Sequence, residues 1–434
     1  MTLEPFSNSN GPAVIVDPFS SGGLYARAFK EAGVSVAAVL SRPKPPDVYL
    51  PSFHPEDFGE VILFTGDIEP VVKRLAELSP RCILPGTETG VELADELAAR
   101  LTPHMANVPS FASARRHKWE MARAVRKAGL PVLAQICTAD PAEVATWVAR
   151  ENLAGRDLVV KPPKSASTDG VTRVYRGQGW RDVFEAQLGK TNQWDVINDR
   201  MLVQEYATGT EFVVDVFSYD GVHTITNVCR YRKIDNGPHM AVYDSLEWLA
   251  MDEPMVPTLV DYTKGVLDAV GMRFGAAHVE IMLTAAGPRL IEVNARPHGG
   301  GQPRFCRVAT GDSQVDRAVR YFARLGEIPT GYQLHKHLIV VFLISRATGV
   351  VRNIEILDAV RSLPSYHFAS VQVSNGDSVQ QTKDLLTTLA LGFIVLLHED
   401  RNQMMADYEE VRRIERGLVV QTDQPVPAVG AVSH

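Results

Sequence analysis

Residues 275–301 read GAAHVEIMLTAAGPRLIEVNARPHGGG, and the fold turns on how this stretch is read. Two short runs alternate apolar and polar residues on either side of Ala285-Ala286-Gly287-Pro288, the pattern of a β-hairpin. Strand side chains alternate faces, so Val279, Ile281 and Leu283 share a face with Ile291, Val293 and Ala295, and that face is predicted to be core. The opposite face carries His278 and Glu280 from the first run, then Glu292, Asn294 and Arg296 from the second. A turn centred near Ala286 sets Glu280 directly across from Glu292, with Cβ atoms about 4.5–5.5 Å apart. Two facing carboxylates repel unless a cation lies between them. Two glutamates and an asparagine carbonyl are an all-oxygen set that suits Mg²⁺, which keeps the rest of its shell for water and phosphate oxygens. A solvated hairpin face would alternate in the same way, so the rest of the chain has to separate the two readings.

At 434 residues the chain exceeds one ordinary core, and two to four packed units are expected. The formal charge of −7 and ordinary charged content point to no nucleic-acid partner. Cys82, Cys137, Cys229 and Cys306 are scattered without CxxC spacing, which supports neither a disulfide framework nor a zinc site and fits a reducing cytoplasm. The N-terminus lacks a basic segment followed by an apolar run, and no stretch has the length of a membrane span. A cytosolic protein with no membrane partner is expected.

Residues 13–17, 34–40, 61–64 and 82–84 read as strands, with helices over 24–32, 68–78 and 91–101 between and after them, the opening of a doubly wound α/β domain. The Ser20-Ser21-Gly22-Gly23 turn lacks GxGxxG spacing and reads as a tight turn. The loop PGTETG, 85–90, follows a strand, where open α/β sheets place ligands. Glu88 or Thr89 there is a candidate substrate contact, with helix capping by Thr87 or Thr89 as the alternative. From Ser110 the chain turns basic, and ASARRHKWEMARAVRK reads as an amphipathic helix stopped by Gly129 and Pro131, its cations on a solvated face. A strand over 157–161 ends in Lys161 and runs into small hydroxyl residues and Gly170, a combination that can bind phosphates. Strands over 202–206 and 212–217 bracket Gln204, Glu205 and Glu211, which form either a nucleotide cleft or an acidic hairpin surface. Residues 230–243 read as a mobile loop over a site. From His335 the pattern predicts a compact α+β tail domain with an Asn375-Gly376 turn and, from about Asp423, a disordered end.

Taken together, these pieces resemble the ATP-grasp carboxylate–amine ligase superfamily, most closely its L-amino-acid ligases, the dipeptide synthetases of the bacilysin and tabtoxin type. The resemblance spans nearly the whole chain, and HVEIM followed by IEVNARPHGG is its most specific part. It implies an ATP-grasp fold of mixed α/β and α+β class: a doubly wound N-terminal domain over 1–110, a small lid over 111–200, a large catalytic subdomain over 201–333 and a C-terminal α+β domain over 334–434. It implies ATP and two Mg²⁺ ions, with Mn²⁺ able to substitute. Lys118, Lys161 and Ser167 fall to the phosphates, Gln204 and Glu205 to the adenine side, and Glu211 to the ribose. Glu280, Glu292 and Asn294 fall to the metals, while Arg296, with Lys161, falls to the transferring phosphoryl group. One departure stands out, since related phosphate loops carry two or more glycines and residues 164–170 carry one. The expected partners are small amino-acid substrates, and a homodimer is common in such enzymes. His298 beside Gly299 and Gly300 is placed to line the amine-acceptor pocket, against a structural role for a lone histidine. An ATP-grasp carboxylase or purine-type ligase, and a catalytically silent nucleotide-binding protein, are the competing readings; intact Glu280, Glu292, Asn294 and Arg296 argue against the silent one.

Overall fold

The computed structural model describes residues 10–422 apart from 46, 166–168 and 238, so Ser167 and the expected disordered end lie outside the described residues. The first four strands, Ala13–Val16, Val36–Leu40, Glu60–Leu63 and Cys82–Pro85, are parallel, with Ala13–Val16 between Val36–Leu40 and Cys82–Pro85. All four residues of Ala13–Val16 are buried, as a central parallel strand covered on both faces requires. Strand order reverses there, so the loops after Ala13–Val16 and Cys82–Pro85 leave the same edge side by side.

Those two loops meet backbone to backbone. A Cβ on Gly86 would lie 2.4 Å from the Asp17 carbonyl oxygen, and one on Gly22 would lie 2.4 Å from the Gly86 Cα. The buried Asp17 carboxylate ties the junction, accepting from Ser41 N at 2.8 Å, Ser41 Oγ at 2.6 Å and Thr89 Oγ1 at 2.5 Å. The Thr87 hydroxyl donates to the Asp17 carbonyl at 3.1 Å, so neither threonine hydroxyl caps the following helix as expected. Gly86→Ala should therefore cost about 1–3 kcal/mol of stability by forcing the loops apart. Gly59→Ala, whose Cβ would sit an unstrained 3.6 Å from Val36 O, should change stability by less than about 0.5 kcal/mol. Urea titration of both variants checks the contrast.

A second sheet is antiparallel, in the order Gln135–Thr138, Met201–Glu205, Leu158–Lys161, Thr172–Val174, and closes on a core that includes Trp147, Phe184 and Val203. Met201–Glu205 lies between two strands from earlier in the chain, although a boundary at 200 assigns it to the next subdomain. An inserted strand leaves no mark in local composition.

The hairpin strands Gly275–Thr284 and Gly287–Asn294 pair with each other, and Gly275–Thr284 also pairs with Thr210–Tyr219. Their apolar face packs on the helix Val256–Ala269 and on Met121 and Val125 of the helix Lys118–Lys127.

The chain divides into two compact units, Met1–Cys229 with Leu249–Leu334, and Arg230–Trp248 with His335–His434. The segment expected to be a mobile loop over a site, 230–243, is instead strand on either side of 237–238, supplied by Val222–Asn236 and His239–Leu249, and it falls within the second unit. Its basic and polar residues are strand residues with partners: Arg230 pairs with Glu247, and Asn236 Nδ2 donates to the Ser345 and Thr382 carbonyls at 2.9 and 2.8 Å. In the same unit His337–Phe342, Gly392–His398 and Tyr366–Val371 form antiparallel pairs under the helix Arg401–Glu415. The Asn375-Gly376 turn does not close a hairpin, because Tyr366–Val371 pairs with Gly392–His398 while Ser378–Val379 pairs with Gly349–Val351. Among the described residues no helix is long and apolar enough to cross a membrane.

Candidate active site

Glu280 pairs with Glu292 and His278 with Asn294, the facing that alternation predicts. The register then slips after Glu280, so Ile281 pairs with Leu290. This bulge puts Leu290 in the core and leaves Ile291, expected there, half-buried. Burial, with repulsion from Glu280 and Glu88, holds Glu292 above the ordinary carboxylate range despite the opposing charge of Lys118.

The local pattern alone puts Lys118 on a solvated helix face, whereas the family resemblance assigns it to the phosphates. It is buried at the start of its helix, and Nζ donates to Glu292 Oε1 at 2.7 Å and to the Ser165 carbonyl at 2.5 Å. Lys161 ends Leu158–Lys161 and donates to Gln204 Oε1 at 3.1 Å, while Gln204 Nε2 donates to Gln135 Oε1 at 2.8 Å. Burial first, and then the charge of Lys118, pull the Lys161 pKa down to about 8, against the attraction of Glu292, Glu280 and Glu211. Those causes place Lys161 in the field of all three acids. Glu211 lies on the strand Thr210–Tyr219 opposite Met282, two pairs along from Glu280. Glu205 turns to the neighbouring strand entry, accepting from Ala134 N at 2.8 Å.

Arg296 leaves the hairpin and spreads its fork: Nε donates to Glu88 Oε2 at 3.2 Å, Nη2 to Asn294 Oδ1 at 3.2 Å and Nη1 to the Pro297 carbonyl at 3.0 Å. The structure thus brings Glu88 of the PGTETG loop to Arg296, whereas the Thr89 hydroxyl is spent on Asp17. Gly300 N and Gly301 N donate to Ser20 Oγ and Ser21 Oγ at 3.1 and 2.9 Å, so the expected tight turn of the first loop also anchors the glycine exit. Gly299 stays open, and an added Cβ would meet only Arg296 Nη1, at 3.9 Å.

His298 points inward. Its Nδ1 donates to Asp215 Oδ2 at 2.9 Å, and His278 Nδ1 donates to Asp215 Oδ1 at 2.9 Å, with the two rings 3.9 Å apart. His278 Nε2 continues to Glu280 Oε1 at 3.1 Å. Burial opposes a charge on either ring, but the carboxylates raise His278 to about 9, while burial and His278 push His298 down to about 4. One imidazolium therefore joins Asp215 to Glu280. The sequence reading missed Asp215 and had His278 only as a residue on the polar face. The available signal was Asp215 standing within the apolar run FVVDVF, in phase with Glu211.

A family model described as an ATP-grasp domain matches residues 155–303, which hold Lys161, Glu211, Glu280, Glu292 and Arg296. Over that span the chain resembles ATP-grasp proteins. It is 29% identical to dapdiamide A synthase of Enterobacter agglomerans over 94% of this chain and 96% of that one. Among solved structures, an L-amino acid ligase from Bacillus licheniformis shares the fold at a TM-score of 0.72 and 16% identity, covering 96% of this chain and 100% of the other. Carboxyaminoimidazole ribonucleotide synthase of Aspergillus clavatus, complexed with ATP, follows at 0.68 and 14%, covering 94% and 99%. ATP-grasp ligases use ATP and a divalent metal, and the donor set present fits such a metal. Glu280, Glu292 and Asn294 offer only oxygen donors, as a hard cation needs. Glu292 already accepts a cation here, the ammonium of Lys118.

Lys161 gives this candidate site a pH signature. Its ammonium is present below about 8 and lost above, so metal-free ADP affinity should fall as pH rises through that value, by up to about tenfold per unit. In Lys161→Arg, which stays charged, the fall should vanish. Calorimetric titrations between pH 7 and 9.5 check both.

Proposed function

We propose that the protein is an ATP-dependent ligase that joins the carboxylate of an amino acid or other small acid to the amino group of an amino acid, through an acyl phosphate, releasing ADP and phosphate. The observation that carries this reading is the hairpin itself: Glu280 across from Glu292, with Asn294 and Arg296 next along the same polar face and Lys118 bonded to Glu292. Likeness to an amide synthase along almost the whole chain supports it.

A carboxylate is a poor acyl donor because its leaving group would be oxide. Transfer of the ATP γ-phosphoryl group to it supplies phosphate as the leaving group, and the amine then attacks the acyl carbon. Catalysis of phosphoryl transfer is mostly positioning and charge. Lys118 and Lys161 hold the nucleotide phosphates. Arg296, fixed by Glu88 and Asn294, presents its guanidinium to the group in transit. His278, backed by Asp215, fixes the orientation of Glu280. Glu280, Glu292 and Asn294 would hold two Mg²⁺, replaceable by Mn²⁺, which supply positive charge against the phosphate oxygens. Gln204, Glu205 and Glu211 serve the adenosine side. On this reading the partners are small molecules met in the cytoplasm.

Incubation with ATP, Mg²⁺ and a panel of amino acids, reading phosphate release and product mass, tests the proposal. Release that depends on amino acids and yields an amide supports it. Release with bicarbonate instead would assign a carboxylase, and none with either would leave a nucleotide-binding protein.

A further inference from the structure

We propose that Arg116 binds the α-carboxylate of the amine substrate and holds it away from the phosphorylating face; this rests on the ligase reading above. Arg116 and Arg115 are adjacent, basic and buried, yet they are used differently. Arg115 is saturated, with Nε on Asp95 at 2.8 Å and Nη1 on the Val270 carbonyl at 2.8 Å and the Val108 carbonyl at 3.2 Å. It is a structural pin. Arg116 Nη1 lies 3.3 Å from Glu88 Oε1 without the alignment of a hydrogen bond, and among the described residues it donates to nothing. A guanidinium that is only 6% exposed and keeps a donor in reserve calls for an acceptor.

The second observation is what lies on the other side of Glu88. Its Oε2 accepts from Arg296, whose Nη2 reaches Asn294. Glu88 therefore stands between two guanidinium groups, Arg116 on one carboxylate oxygen and, on the other, Arg296, which also reaches Asn294. Tyr49 shares this corner, since its hydroxyl feels Arg296, Glu88 and Arg116. An amino acid that serves as the amine carries a carboxylate of its own, which must be gripped without being activated. A planar fork one carboxylate removed from the reacting face meets both demands. The donor's carboxylate has to face Glu280, Glu292 and Arg296, so it does not compete for Arg116.

The test uses the full-length protein, the best amine substrate from the amino-acid panel, and the primary amide of that same amino acid, which keeps the amine and lacks the carboxylate. Wild type should prefer the acid in kcat/KM by more than about tenfold, since a site built to hydrogen-bond a group discriminates against an analogue lacking it. Arg116→Gln should abolish that preference by raising KM for the acid alone, with the amide and ATP within about threefold of wild type. Arg116→Lys, which keeps the charge, should fall between and serves if the Gln variant does not fold. Equal losses for acid and amide, or a preference that survives in both variants, would overturn the proposal and leave Arg116 a structural partner of Glu88. Absence of any amino-acid-dependent ADP release by wild type is a different outcome, which overturns the ligase reading and this inference with it.

Discussion

Glu292→Gln, and separately Glu280→Gln, should lower amide formation by about a thousandfold or more, because removing a metal carboxylate costs several kcal/mol of transition-state stabilisation. The substitution is nearly isosteric, and both side chains lie on the polar face of the hairpin, opposite Val279 and Val293. The fold should persist. In Glu292→Gln the Lys118 ammonium keeps the Ser165 carbonyl, and in Glu280→Gln the amide oxygen can still accept from His278. Circular dichroism should therefore match wild type while ADP formation is lost at every magnesium concentration. Retention by either variant of more than about a tenth of wild-type turnover would speak against a two-carboxylate metal site.

Arg296→Lys should lower kcat by about a hundredfold or more with the ATP affinity within about threefold, since an ammonium cannot copy a guanidinium fork aimed at a phosphoryl group. Arg296 splits its donors among Glu88, Asn294 and the Pro297 carbonyl, and one nitrogen can serve only part of that set. Loss in kcat with KM for ATP preserved places Arg296 in the transition state. An equal loss of nucleotide binding would move it to ground-state recognition.

Local patterns made the hairpin legible. Alternation and a turn centred near Ala286 paired Glu280 with Glu292; the turn lies at Ala285–Ala286, which alone would set Glu280 opposite Ile291, and the bulge restores the predicted facing. The bulge was not legible, since Leu290 and Ile291 are both apolar and either could fill the core position. Burial of Lys118 escaped a local reading for a different reason. Its partner Glu292 is 174 residues away, and a basic helix looks the same whether its charges meet water or acids. The same distance effect hid Arg116 behind Glu88. Residues 230–243 were read as a loop from polarity and Gly-Pro content, yet 230–236 and 239–243 are strand, and Asn236 finds partners on later parts of the chain. The likeness to ATP-grasp ligases, by contrast, needed only the order of short motifs along the chain.

The Lys118–Glu292 ion pair has a consequence for how the protein meets its two cofactors. On the proposed reading an ammonium and a divalent cation would contend for Glu292 Oε1, which would make Lys118 a competitor for the metal. A nucleotide phosphate that draws Lys118 to itself removes that competitor. Nucleotide and metal then strengthen each other by the same factor, as linkage requires. Under that proposal the carboxylate pair would act as a coincidence detector, poorly responsive to magnesium alone and receptive to it in the company of a nucleotide phosphate.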